Sequence, residues 1–322
     1  MSESIVGKSA PKVAVVLFGP EGQGSFNESG LRGAQKAQAQ GHTVDVHWIA
    51  PLAAAERAAA IEPLCEQGYD LIVAHGGQGD GPVALLAARY PQQAFVVTQG
   101  SLQAPNVARY EVLQEQSAFL AGVLAALMSQ TKSVGHFSGE KVPPGLRGRA
   151  AFAHGLVAAG FEGSFATQFC GHQHQPAWAQ ACVSKTAKET QIDVLFAMID
   201  GGRPGVSQAC RDHQIWQIGN VLDWVARDPE VFMASAICDS GAAIAQAIQD
   251  FAQGQLALGG YKSFGLESPE LVRLQMADWV PDAIKHHIAQ WQQQIVDGTL
   301  QIHEHYEGSE YPLPERQAPV IA

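Results

Sequence analysis

The chain has 322 residues, an apolar fraction of 46% and a formal charge of -11 from 31 acidic and 20 basic side chains. That length exceeds one comfortable hydrophobic core and predicts two domains or lobes. The acidic balance, with no basic run, argues against nucleic acid as a partner, because phosphate binding needs a concentrated basic surface.

KVAVVLF (12–18) is an apolar run of buried-strand type. It leads into the glycine-rich stretch GPEGQGSFNESGLRG (19–33), from which a helix over 25–40 is expected, with Ser25 and Glu28 as a capping box. VDVHWI (44–49) is a second strand and 53–67 a second helix. DLIVAH (70–75), a helix near 80–90, AFVVT (94–98) and VARYEV (107–112) follow. This alternation predicts a parallel sheet covered on both faces, with ligand-capable loops at the strands' carboxyl ends.

After residue 114 the rhythm restarts with a long helix, EQSAFLAGVLAALMSQ, then SVGHF (133–137) and the helix LRGRAAFAHGLVAAG. GSFATQF, DVLFAM and IWQIG supply further strands, with helices near 177–190 and 203–213. FMASAI (232–237), a helix over 240–254, GYKSFGL (260–266) and a last helix from Pro281 complete the chain. No linker isolates two halves, so more than one crossing between them is expected.

No apolar run reaches 18 residues, so no membrane-spanning helix is expected. The opening MSESIVGKSAP lacks the apolar core of a signal peptide. The location expected is periplasmic or membrane-anchored if an export signal has been removed, and cytoplasmic otherwise. Five cysteines, Cys65, Cys170, Cys182, Cys210 and Cys238, are odd in number and too sparse for a disulfide framework, and leave the compartment open.

The loop after the first strand is a poor phosphate cradle. Gly22-Gln23-Gly24 is followed by Ser25-Phe26-Asn27, which misplaces the third glycine of a dinucleotide fingerprint, and no Gly-Lys-Ser/Thr closes this loop. Phe26 offers a flat surface for a heterocycle, with Asn27 reading its edge. The alternative is Phe26 as core and Asn27 as a cap. HGGQGDG (75–81) is a second such exit, in which Gln78 or Asp80 reaches a ligand or Asp80 caps the next helix. DGGRPGV (200–206) is its counterpart in the second half, with Asp200 and Arg203 as pocket groups or turn residues. Cys170-x-His172-x-His174, with Cys182 beyond, has zinc-type ligands, but alternate-residue spacing is not a closed structural-site pattern, and no metal is expected. His286, His287, His303 and His305 read as solvent-facing. No G-x-S-x-G elbow or H-E-x-x-H occurs, so neither catalysis nor a cofactor is expected.

GSFNESGLRG, GYDLIVAHG, ARYPQQAFVVTQG, PNVARYEVLQEQSAFLAGVLAALMSQTKSVGHFSG, FAHGLVAAGF, IDVLFAMIDGGRPGVSQACRD and IGNVLDW stand in an order that resembles the basic membrane protein (PnrA-like) family of nucleoside-binding components of ABC transporters. The resemblance covers 12–298. It implies an α/β fold of two Rossmann-like lobes, each a three-layer αβα arrangement of the type I periplasmic-binding-protein class, with a ligand cleft between them. The implied lobes are 10–108 plus 237–267 and 109–236 plus 268–300, with 301–322 as a tail and crossings near 107–112, 234–238 and 266–274.

By the same resemblance Phe26 stacks on a purine base or nucleoside, beside Gly24, Ser25 and Asn27. Phe169, Trp178 or Trp224 supplies the second aromatic, and Asp223, rather than Val221, keeps the carboxylate that grips ribose. Phe18 stands near the family's first-strand aspartate, Gln99 follows AFVVT, and Cys238 replaces the family's sugar-gripping lysine. A free purine or other flat heterocycle therefore fits the expected site at least as well as a ribonucleoside. An ABC permease is the implied partner; a cytoplasmic sensor of the same fold, and an enzyme acting on a nucleoside-like substrate, are the alternatives.

Overall fold

Lys12–Phe18 forms β1, and six of its seven residues are buried. A run that is apolar on both faces suits the middle of a parallel sheet, where helices cover each side. The computed structural model describes residues 11–315, apart from 20, 23, 24, 51 and 52. In chain order, β1 is followed by α1 (Ser25–Ala39), β2 (Thr43–Ile49), α2 (Ala54–Glu66), β3 (Leu71–His75), α3 (Asp80–Arg89), β4 (Ala94–Thr98) and β5 (Val107–Val112). Next come α4 (Gln114–Met128), β6 (Ser133–Ser138), α5 (Pro143–Ala158), β7 (Ser164–Phe169), α6 (Pro176–Thr190), β8 (Val194–Met198), α7 (Arg203–His213) and β9 (Trp216–Val221). β10 (Phe232–Cys238), α8 (Ser240–Ala252), β11 (Tyr261–Phe264), β12 (Val272–Met276) and α9 (Asp282–Val296) complete the order.

The chain divides into two units. The first holds residues up to 22, Asn27–Glu111 and Ser240–Ser263; the second holds Phe26, Val112–Asp239 and the chain from Phe264 onward. Each has one six-stranded sheet, ordered β11-β5-β4-β3-β1-β2 in the first and β12-β10-β9-β8-β6-β7 in the second.

Strands β1 to β5 pair in parallel, as do β6 to β10, and their apolar runs are the reason. The second sheet is mixed, because β12 pairs antiparallel with β10. Residues 272–274, expected as part of a crossing, are strand. Val272 and Leu274 are buried while Arg273 and Gln275 are half-buried, the alternation of an edge strand with one covered face.

Small residues bring the helices of the second unit together. A Cβ added at Gly122 on α4 would collide with the Phe152 carbonyl, and one at Gly155 on α5 with that of Phe119. In the first unit Gly33 and Gly241 let α1 and α8 cross in the same way, and the Gly241 N–H donates to Ser29 Oγ at 2.9 Å. No helix among the described residues is long and apolar enough to cross a membrane.

Candidate ligand-binding site

In the first unit side chains fasten the strand exits to neighbouring backbone. β1 ends at Phe18, which is buried with its ring under the Arg57 guanidinium, 5.2 Å from the centroid. Asn27 is buried too, and its Nδ2 donates to the Phe18 carbonyl at 2.7 Å. One amide donor is therefore committed to the exit of β1. Gly24 lies outside the described residues, as does the side chain of Ser25 and with it the expected capping box.

Gln78 is exposed on the short turn Gly77–Gly79. Asp80, the first residue of α3, accepts from Ser101 N at 2.7 Å, Ser101 Oγ at 2.9 Å and Leu102 N at 3.1 Å, so its carboxylate secures the loop after β4. Gln99 is buried at the end of β4 in the left-handed region (φ 54°), and its N–H donates to the Tyr110 carbonyl at 2.9 Å.

Phe26, half-buried, groups with the second unit, where its N–H donates to Asp200 Oδ1 at 3.3 Å. Sequence reasoning singled out both residues. Next to Asp200, Arg203 turns inward and is 2% exposed. Its guanidinium donates to the carbonyl of Ile199 at 2.6 Å, more weakly to that of Ala197 at 3.4 Å, and to Asn220 Oδ1. It also lies 4.4 Å from the ring centroid of Trp224. Burial pushes its pKa down to about 10, opposed by the Asp200 carboxylate. The sequence showed a helix-opening Arg-Pro; nothing in it announced the inward guanidinium.

The aromatic candidates are engaged within the second unit. Phe169 is 5% exposed, with the Arg149 guanidinium 4.9 Å from its centroid and the His136 ring at 5.6 Å. Trp178 packs on the apolar core and donates from Nε1 to the Cys170 carbonyl at 2.9 Å. Trp224 stacks on Phe232 at 5.6 Å and donates from Nε1 to the Asn220 carbonyl at 2.9 Å.

Asp223 is half-buried, and its Oδ1 accepts from Ala226 N at 3.0 Å, a local turn contact. Val221 is buried with a left-handed φ of 68°. Cys238 is buried at the end of β10, its sulfur 4.0 Å from the Val112 carbonyl. The Cys-His cluster does not converge: Cys170 and Cys182 sit in the apolar core, and Cys170 Sγ donates to the His172 carbonyl at 3.2 Å. Among the described residues no group of three or more His, Cys, Asp or Glu is placed to hold a metal ion.

A family model described as ABC transporter substrate-binding protein PnrA-like matches residues 10–305. The transcriptional activator protein med of Bacillus subtilis (strain 168) is 25% identical over 202 residues, covering 63% of this chain and 62% of that protein. This chain thus spans under two thirds of that relative's length. A CD4+ T-cell-stimulating antigen of Listeria monocytogenes serovar 1/2a is 20% identical over 301 residues, covering 87% and 84% of the two chains.

Among solved structures, an ABC transporter system solute-binding protein from Aeropyrum pernix K1 is similar with a TM-score of 0.80 at 21% identity, covering 91% of this chain and 94% of that one. A transcriptional activator of the comK gene from Bacillus halodurans gives a TM-score of 0.75 at 20% identity, covering 91% and 100%. At such identities these structures establish the fold, the two-lobed α/β type I periplasmic-binding-protein class.

Proposed function

This chain belongs to the PnrA-like family of ABC transporter substrate-binding proteins, and from that premise we propose that it captures a free purine base, or a closely related flat heterocycle, for delivery to an ABC permease. Members of the family are non-catalytic solute-binding proteins that take purine or nucleoside ligands. The observation that carries the reading is the match to the family model over residues 10–305, supported within the second unit by the half-buried Phe26, whose N–H donates to Asp200 Oδ1. Phe26 supplies a face for the ring, and Asp200 accepts from ring N–H groups. Cys238, a buried thiol where the family resemblance expects a lysine, supplies no cationic donor for sugar hydroxyls. That favours a base over its ribonucleoside.

Calorimetric titration with adenine, guanine, hypoxanthine, adenosine and guanosine tests this, on protein first freed of co-purified ligand by unfolding and refolding. Saturable one-to-one binding, tightest for a free base, is expected. No heat with any of the five overturns the ligand class, and a clear preference for ribonucleosides overturns the argument from Cys238.

The likeness to the two transcriptional activators favours a second reading, a small-molecule sensor of the same fold. Fractionation of the native host separates the two. Recovery outside the cytoplasmic membrane supports uptake, and recovery in the cytosol supports the sensor.

A further inference from the structure

Beyond α9 the chain forms no further helix or strand through residue 315, yet it is tied to the second unit at many points. At its far end Tyr311 N donates to the Thr167 carbonyl at 2.7 Å, and Gln168 Nε2 donates to the Pro312 carbonyl at 3.2 Å. Both partners lie on β7, the open edge of the second sheet. The Glu310 carboxylate holds Arg149 and Lys141, each at 2.9 Å, and Tyr311 Oη donates to Glu189. In the middle, Tyr306 lies under the Arg149 guanidinium at 4.8 Å and meets the Phe165 ring edge-on at 5.7 Å. An exposed edge strand is a template for unwanted pairing, and this segment covers it.

The near end is held differently. His303 stacks on His154 of α5, with centroids 3.8 Å apart and planes 4° from parallel. The backbone N–H of His303 donates to His154 Nδ1 at 3.2 Å. The donor there is a main-chain amide, so Nδ1 must be unprotonated, and the stack requires a neutral His154 ring. Behind His154 stands an apolar ladder: Phe119 of α4 at 5.1 Å, then Trp291 of α9 at 5.7 Å from Phe119, whose Nε1 donates to His287 Nε2 at 3.1 Å. The α4 side thus faces His154 with an uncharged ring, and the titratable group facing it from the tail is His303. His303 is exposed, as the sequence led one to expect, and is also stacked on one face.

We propose that residues 299–312 form a strap over the edge of the second sheet, and that protonation of His154 releases its His303 end while its Glu310 end stays docked. A proton on Nδ1 removes the acceptor for His303 N–H and sets a cation against a second imidazole. The direction agrees with the surroundings: burial, then the neighbouring His303, holds His154 below its ordinary 6.5. A group whose folded value is depressed contributes its stability above the unfolded value and loses it as the pH falls through the folded one. The near end is therefore fully docked above 6.5 and opens below it. At the far end burial works upward on Glu310, but Lys141 and Arg149 outweigh it and hold the carboxyl below its ordinary 4.5. That end persists to lower pH, so release is staged.

Amide hydrogen exchange of the full chain, corrected for the chemical exchange rate, tests the staging at about pH 7.5 and about pH 5. Protection of amides 300–306 is expected to fall at least about tenfold, the equivalent of one unit in protonation equilibrium, while the Tyr311 amide keeps its protection. H154F removes the titrating acceptor and should leave 300–306 poorly protected and insensitive to pH in this range. H303F keeps a flat ring and the backbone donor and should retain the pH dependence. Equal protection of wild-type 300–306 at both pH values would overturn the proposal, as would the same fall in H154F. A pH dependence kept in H154F and lost in H303F would move the switch to the other ring and also overturn it.

Discussion

Place for place, the two sheets share one strand order, so that β4 of the first unit matches β9 of the second. A buried, non-glycine residue in the left-handed region follows β4 directly, Gln99 at φ 54°, and another closes β9, Val221 at φ 68°. The backbone plan is the same, but the chemistry that secures the exits is opposite. At the exit of β4 in the first unit an acceptor does it: the Asp80 carboxylate collects N–H and O–H donors from the following loop. In the second unit donors do it: the buried guanidinium of Arg203 holds carbonyls and lies over Trp224, while that of Arg149 lies over Phe169. Strand order and left-handed exits define the scaffold; which charge fastens each exit is free to differ. A buried cation has lost its water, so the second unit's fastenings should be the more costly to remove.

The largest expected effect contrasts two phenylalanines. Phe169→Ala empties a buried site beneath Arg149 and should cost about 3–5 kcal/mol in urea unfolding. Phe26→Ala removes a half-buried ring and should leave the unfolding midpoint nearly unchanged. Its loss appears in ligand titration instead, where aromatic pairing of roughly 0.5–1.5 kcal/mol beyond the buried area gives at least about a tenfold weaker affinity. A Phe26→Ala protein as unstable as Phe169→Ala would return Phe26 to the core.

Next come the two fastenings. Arg203→Leu keeps most of the volume but strands the Ile199 and Ala197 carbonyls, each unmade partner being worth about 1–3 kcal/mol, less the relief of a buried charge. A net loss of about 2–3 kcal/mol is expected. Asp80→Ala, partly exposed to water, should cost only about 1–2 kcal/mol. The reverse ranking in denaturant titrations would break the contrast between the units.

The third effect is pH-dependent. Burial works upward on Asp250 of α8, but Lys262 at 2.7 Å, Tyr110 at 2.5 Å and Gln246 at 2.7 Å outweigh it and hold the carboxyl below its ordinary 3.8. The stability this contributes is present above 3.8 and lost as the pH falls through the depressed value. Asp250→Asn should lose about 2 kcal/mol near neutrality. Its stability should then fall less steeply than that of the wild type toward about pH 3. Parallel acid slopes for the two proteins would show that Asp250 is not a major source of acid sensitivity.

The apolar runs of β1, β3, β4 and β8 were legible because strands buried on both faces carry polar residues, such as Lys12, His75 and Thr98, only at their ends. The glycine-rich stretches were legible as strand exits because glycine marks turns locally. β12 was not, since a five-residue edge strand carrying Arg273 and Gln275 resembles a connecting segment. Nor were the fates of the candidate side chains. Arg203 meets Asn220 17 residues away, and Arg149 meets Glu310 161 residues away, pairings that depend on tertiary placement rather than local pattern. Trp178 and Trp224 were candidates only through the family resemblance, and packing engages both.

The smallest effect tests the shared left-handed exit itself. An L-residue in this conformation brings Cβ close to the following carbonyl, at a cost of roughly 1–2 kcal/mol, and β-branching at Val221 worsens the fit. Val221→Gly relieves that strain but forfeits a buried side chain and adds chain entropy to the unfolded state. Val194→Gly, on β8 and equally buried, forfeits the same groups from an ordinary strand with no strain to relieve. The quantity to measure is therefore the difference between the two variants in one unfolding series. Val221→Gly should cost about 1–2 kcal/mol less than Val194→Gly. Equal costs would mean that the exit of β9 sits in its conformation without penalty, and the parallel with Gln99 would then be one of geometry alone.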